Sequence, residues 1–216
     1  WSASTSPTCP RRTASPSVAG STPPVGVLAL QGDVREHVAS LRGLGADVRE
    51  VRSVADLDAV AGLVIPGGES SVIDKLSRIF GVRDAIRARI ADGMPVYGTC
   101  AGLIMLADEL VDGIEGQLTF GGFDATVRRN AFGTQVDSFE TDLAMPALGE
   151  HPVHAVFIRA PIVERVGPTV EVLGQLDDGR IVAIAQGNLL GTSFHPEVSG
   201  ETCFHERFLV TVRDAA

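Results

Sequence analysis

Cys100 stands in Gly98-Thr99-Cys100-Ala101-Gly102, between an apolar run at residues 94–97 and a second apolar, helix-competent run at 103–110. A strand, a sharp glycine-flanked turn and a helix would expose the thiol for attack. Small neighbours let such an elbow close without a side-chain clash. The free N–H groups at the start of the following helix favour the reactive thiolate. Taken alone, the pentapeptide fits a buried cysteine in a tight turn equally well.

A second element, Ser193-Phe194-His195-Pro196-Glu197, changes that balance. On an extended backbone, residues two apart face the same side, so His195 and Glu197 are expected to point together. Pro196 is expected to keep the stretch extended. A carboxylate on one imidazole nitrogen fixes the tautomer and frees the other nitrogen to take a thiol proton. His-x-Glu by itself is a weak signal; with a cysteine elbow in the same chain it makes a triad candidate.

The third element is Pro66-Gly67-Gly68-Glu69-Ser70, at the end of an apolar run. Two glycines let the backbone approach a substrate and aim an N–H at a developing oxyanion. The plainer reading is a strand-to-helix turn with Ser70 as N-cap, and the two are compatible.

The surrounding pattern must bring these pieces together. Residues 25–30, 47–51, 62–66 and 94–97 read as strands. Helical spacing at Val34, Val38, Leu41 and Leu44, at Val72, Ile73, Leu76 and Ile79, and over 82–91 places helices between them. That rhythm predicts an α/β fold: a mostly parallel, doubly wound sheet with helices on both faces. Ligands of such sheets gather beyond the carboxyl ends of the strands, where the Gly67 loop and the Cys100 turn should lie. Past residue 110, strands at 123–128, 136–143, 153–158, 170–176, 180–185 and 189–194 predict an antiparallel extension, with a hairpin turn at Asp177-Asp178-Gly179. Phe204, Phe208, Leu209 and Val212 close the chain as an amphipathic helix.

With 18 basic and 27 acidic side chains the net charge is −9, which argues against a nucleic-acid surface. No apolar run approaches the roughly 18–20 residues of a membrane span. The three cysteines, Cys9, Cys100 and Cys203, are too scattered for a disulfide framework or a metal site. A cytoplasmic location is the expectation. Residues 1–24, rich in Ser, Thr and Pro, are expected to be a disordered extension or a start-site artefact, leaving one domain over 25–216.

The three elements, in this order, resemble the class I, triad-type glutamine amidotransferases, whose fold is flavodoxin-like. Residues 26–32 with Arg35-Glu36-His37, together with the segments 129–133, 135–140 and 157–161, narrow the resemblance to the glutaminase subunits of pyridoxal 5′-phosphate synthase. The similarity covers about residues 25–212. It implies hydrolysis of L-glutamine to glutamate and ammonia through a thioester, with Cys100 as nucleophile, His195 as base and then acid, and Glu197 orienting it. It also implies that Gly68, Glu69, Ser70, Arg129, Ile158 and Arg159 hold glutamine, and that the N–H groups of Gly68 and Ala101 form the oxyanion hole. The implied partner is a synthase subunit that activates the glutaminase and takes its ammonia. No metal or bound cofactor is implied.

Val72 departs from the pattern, standing where a hydroxyl residue is common. Gln31 and His37 fall in a region the family turns toward the synthase, so interface contact is expected of them. Cys203 and His205 are expected to be packing or surface residues, and His151 and His154 to sit in a loop around a proline. A glutaminase of another pathway, such as histidine biosynthesis, a non-catalytic binding subunit and a peptide-cleaving cysteine hydrolase are the competing readings. Segments 129–133 and 157–161 speak against the first, and the complete Cys-His-Glu set against the second.

Overall fold

The computed structural model describes residues 23–129 and 138–216. The first half runs β1 (Val25–Leu28), α1 (Val34–Gly43), β2 (Val48–Val51), α2 (Val54–Asp58), β3 (Gly62–Ile65), α3 (Ser70–Ile79), α4 (Arg83–Ala91), β4 (Val96–Thr99) and α5 (Ala101–Leu106). The second half runs β5 (Ala107–Val111), β6 (Phe123–Arg128), β7 (Phe139–Leu143), β8 (Val153–Phe157), β9 (Ile162–Val166), β10 (Glu171–Gln175), β11 (Ile181–Gln186), β12 (Leu189–Thr192), α6 (Pro196–Ser199) and α7 (Cys203–Ala215).

One sheet carries the order β2-β1-β3-β4-β12-β11-β9-β6-β5, with β10 also on β11, and β7-β8 form a separate ribbon. From β2 to β12 all neighbours are parallel; β11 then turns antiparallel to β12 and begins the extension. β1, β3, β4 and β12 are buried along their whole length, as expected of strands covered on both faces. Alternate residues feed two cores. Val25, Val27, Val64 and Tyr97 pack with Leu41 of α1 and Phe204 and Phe208 of α7. Leu28, Leu63, Ile65 and Val96 pack with Ile73 of α3, Ile86 of α4 and Leu103 of α5. The helices therefore lie on both faces, as the sequence pattern predicts.

Between β1 and β3 the strand order reverses, which opens a crevice at the carboxyl ends of the sheet. The loops after β1, β3 and β4 all reach this edge.

Several local expectations need correction. The helix expected over 103–110 stops at Leu106, and residues 107–111 become β5, because parallel pairing with β6 captures them. Pro196 does not prolong an extended stretch; it opens the single-turn helix α6, where its fixed φ suits the first helical position. The capping box of Ser53 and Asp56 starts α2, and β9 pairs β6; neither element is evident from the periodicity. His154 lies within β8, between the carboxylates of Asp142 at 2.8 Å and Glu140 at 3.1 Å, not in a loop. The expected N-terminal extension falls almost wholly outside the described residues, as do 136–137 of the strand expected at 136–143 and 130–133 of the segment 129–133.

Candidate active site

Cys100 is the hinge between β4 and α5. Its φ of +47° is unusual for a residue with a side chain and is the kind of backbone strain that clusters at functional sites. Close packing holds it. A Cβ at Gly98 would lie 2.5 Å from the Gly102 carbonyl carbon, and one at Gly102 would lie 2.0 Å from the Ile65 carbonyl oxygen. Only glycine permits either approach. The Cys100 N–H donates to the Thr192 carbonyl at 2.8 Å, tying the elbow to β12.

That strand delivers His195. The His195 N–H donates to the Val156 carbonyl at 2.9 Å, and Nδ1 bonds Glu197 Oε1 at 2.8 Å. The pair meets because His195 caps α6 and Glu197 is its second residue, a local geometry different from the extended one expected. Both residues are buried. A second carboxylate, Asp33 Oδ2 from the loop after β1, lies 3.4 Å from the same Nδ1. With Nδ1 so engaged, Nε2 is the nitrogen left for Cys100, one of the groups that raise this imidazole. Burial is the largest influence on this imidazole and works against its charge. Hydrogen bonds with Asp33, Cys100 and Glu197 overcome it and push His195 up to about 12.

The glycine loop closes over this group. A Cβ at Gly67 would stand 2.3 Å from His195 Cε1, so the loop lies directly on the imidazole. Gly68 has a φ of +145°, and the next N–H, that of Glu69, donates to Gln31 Oε1 at 2.7 Å. Glu69 Oε1 accepts from an Arg129 Nη at 2.6 Å. The other Nη of Arg129 donates to Gln117 Oε1 at 2.9 Å, while Gln117 Nε2 donates to Ser70 Oγ at 2.9 Å. Glu69, Ser70 and Arg129 thus converge, with Gln117 as a fourth member. Ile158 and Arg159 follow β8, two and three residues past the carbonyl that holds His195. Arg159 has a φ of +46° and Ile158 is exposed. Ala101 is the first residue of α5, where a backbone N–H has no partner inside the helix.

Asp33, Gln117 and the buried pair His37–His205 are absent from the sequence-derived site. Asp33 had one usable signal: an acid just past the carboxyl end of β1, at the edge where ligands gather. Gln117 had none, since it sits in an irregular loop. His37 is corrected, since it is wholly buried and cannot be an interface residue of this surface; Gln31, partly exposed, faces the Gly68 loop. Among the described residues, Asp33, His195 and Glu197 are the only group of three with donor atoms near enough to share a metal ion, all within 4.8 Å of one another. Those donors are already engaged with each other around the imidazole.

A cysteine on an elbow, an imidazole hydrogen-bonded to a carboxylate and a glycine loop over them sit on a fold of the amidotransferase class. The chain belongs to the SNO glutamine amidotransferase family, whose model matches residues 27–214. It is 65% identical over 196 residues to the pyridoxal 5′-phosphate synthase subunit PdxT of Clavibacter michiganensis subsp. michiganensis, covering 91% of this chain and 94% of that one. It is 66% identical to the protein of the same name from Leifsonia xyli subsp. xyli, covering 90% and 98%. A crystal structure of a glutamine amidotransferase superposes with a TM-score of 0.81 at 47% identity, covering 88% of this chain and 98% of that one. A GMP synthase-type protein from Thermoplasma acidophilum superposes at 0.65 with 17% identity, covering 91% and 96%, and shares the fold.

Proposed function

We propose that this chain hydrolyses L-glutamine to L-glutamate and ammonia, and delivers the ammonia to a pyridoxal 5′-phosphate synthase subunit. One observation carries the chemistry: the strained Cys100 elbow is tied to the strand that delivers an imidazole, which Glu197 holds at 2.8 Å and which Cys100 helps to raise. The relatives named as PdxT support the pathway.

In this reading Cys100 Sγ attacks the side-chain amide carbon of glutamine, and His195 takes up the thiol proton. The oxygen that gains charge is met by the N–H groups of Gly68 and Ala101. Losing one such donor typically costs about 3–4 kcal/mol of barrier, roughly 100- to 1000-fold in rate. The tetrahedral adduct collapses as His195 passes its proton to the leaving nitrogen, which departs as ammonia. Water, deprotonated by the now neutral His195, cleaves the thioester and releases glutamate. Glu197 keeps Nδ1 protonated and the ring aligned throughout.

Free glutamine brings an α-carboxylate and an α-ammonium. Arg129 suits the first and Glu69 the second, with Gly68, Ser70, Ile158 and Arg159 completing the pocket. The pyridoxal phosphate is the partner's product, so no cofactor is assigned to this chain. Among the described residues no helix is long and apolar enough to cross a membrane. We assign the chain to the cytoplasm, with no nucleic-acid or membrane partner.

The deciding assay measures glutamate release with and without the synthase, on parent and Cys100→Ala proteins. Activity is expected only in the parent, and to rise when the synthase is added. Substantial activity in Cys100→Ala would falsify the nucleophile assignment; equal parent rates with and without synthase would remove the activating partner.

A further inference from the structure

Behind the triad lie two imidazoles that the reaction above does not use. His37 of α1 and His205 of α7 are both wholly buried. His37 Nδ1 is 2.9 Å from His205 Nε2, and His37 Nε2 is 3.0 Å from Thr99 Oγ1. The same Nε2 lies 3.5 Å from Glu197 Oε1, the oxygen that holds His195. One ring therefore touches both the residue preceding the nucleophile and the carboxylate of the proposed triad.

The chemistry of Glu197 fixes the direction of this chain. Its side chain is fully buried, and Oε2 has no hydrogen-bond partner. A buried carboxylate is costly unless donors face it. Ionised, it can only accept, so a proton is favoured on the ring nitrogen 3.5 Å away, whose shorter bond, at 3.0 Å, goes to Thr99 Oγ1. With Nε2 protonated, a neutral His37 has an accepting Nδ1, which His205 Nε2–H satisfies. The titratable groups around His37 are His205 on α7, Tyr97 on β4, and His195 and Glu197 at α6. Burial first, then the neighbouring His205 and His195, holds His37 well below the ordinary imidazole range. Tyr97, also buried, is shifted away from ionisation. His37 is thus a neutral donor at neutral pH.

We propose that His37 is a positioning residue of the active site: from Nε2 it holds Glu197 and Thr99 in register, and His205 fixes its tautomer. The carboxylate then keeps its charge and its angle toward His195, while the strand end that presents Cys100 is tied to the same point. The proposal rests on the glutaminase reading for its kinetic consequence, but not for its tautomer.

Two measurements test it. In the parent protein, ¹⁵N-histidine NMR at neutral pH should find His37 neutral with its proton on Nε2. A neutral Nδ1–H tautomer overturns the proposal whatever the enzyme's activity. In the complex with the synthase, His37→Met removes the donor at similar volume, and His37→Gln restores an N–H of similar reach. His37→Met should lose about 10- to 100-fold in kcat, the scale of one hydrogen bond to a charged group, with KM within about threefold. His37→Gln should recover most of the lost kcat. A folded His37→Met with parental kcat overturns the proposal, as does an equal loss in His37→Gln. If His37→Met does not fold, the tautomer measurement and His37→Gln decide. A parent without any glutaminase activity would instead count against the functional reading, and the tautomer result would stand apart from it.

Discussion

Asp33 Oδ2 stands 3.4 Å from His195 Nδ1, the nitrogen that Glu197 Oε1 already holds at 2.8 Å. Two carboxylates on one side of an imidazole favour its protonated form against the opposing effect of burial. A ring held at about 12 keeps its proton strongly. That helps it retain the thiol proton but hinders its transfer to the leaving nitrogen. Asp33 is 40% exposed, so solvent weakens its share. Asp33→Asn should lower the His195 value by about one pH unit, read by imidazole NMR titration. The sign for stability follows. A folded value raised above 6.5 contributes fully below 6.5 and is lost as pH rises toward 12. Because the slope is set by the number of protons bound, parent and Asp33→Asn should lose stability in parallel above pH 7, and the loss should level off about one pH unit lower in Asp33→Asn; an unmoved His195 titration in Asp33→Asn would remove Asp33 from the site.

Gly67 is the contact point between the loop after β3 and the imidazole. An alanine there would place its Cβ 2.3 Å from His195 Cε1 and 2.8 Å from Nδ1. Neither the ring, clamped by two carboxylates, nor the loop, whose carbonyl accepts from the Asp33 N–H at 3.1 Å, has room to yield. Gly67→Ala should lower kcat by at least about 100-fold, because a misplaced base forfeits its geometry. The protein should still unfold cooperatively in a thermal melt. Near-parental kcat would mean that the loop is not set by this contact.

Arg129 is oriented before any substrate arrives, by Glu69 on one side and Gln117 on the other. Its side chain is only 10% exposed, so a carboxylate meeting it would be largely desolvated. Arg129→Met should raise KM for glutamine about 10- to 100-fold while kcat changes little, the pattern of lost ground-state binding. Gln117→Leu should give a weaker version of the same effect, since it removes an orienting acceptor but leaves the charge. A fall in kcat alone for Arg129→Met would place it in the chemical step instead.

The legible parts of this molecule are those whose signal is local. Unbroken apolar runs gave β1, β3 and β4 because strands covered on both faces need no alternation. Gly98 and Gly102 announced a close turn at Cys100, and the structure shows carbonyls where their side chains would be. Long-range pairing was not legible. Residues 107–111 look helical until β6 offers them a partner, and Pro196 reads as extended until α6 forms behind it. For His37 the resemblance misled: its region is one the family turns toward the synthase, yet its helical spacing with Val38 and Leu41 turns it inward. Its partners His205 and Glu197 are more than 150 residues away in sequence, so nothing near His37 could have revealed them.

The same buried histidines should make the fold sensitive to mild acid. Burial lowers His205 from 6.5 to about 4, and lowers His37 well below 6.5. In the unfolded chain both would take a proton near 6.5, so between pH 6.5 and 4 the unfolded state binds more protons than the folded one. Stability is then fully present above pH 6.5 and drains as pH falls toward 4. For His205 alone the loss by pH 4 is on the order of 3 kcal/mol. Protonation would also put a charge beside His37, against the ring of Tyr97. His205→Gln removes that proton site while keeping a donor toward His37 Nδ1. Urea unfolding at pH 7 and at pH 4.5 should therefore show a smaller acid loss in His205→Gln than in the parent, with the parent steeper by about 2–3 kcal/mol. If the two proteins lose stability in parallel, the acid sensitivity belongs to the carboxylates, and His205 is solvated enough to titrate normally in the folded state.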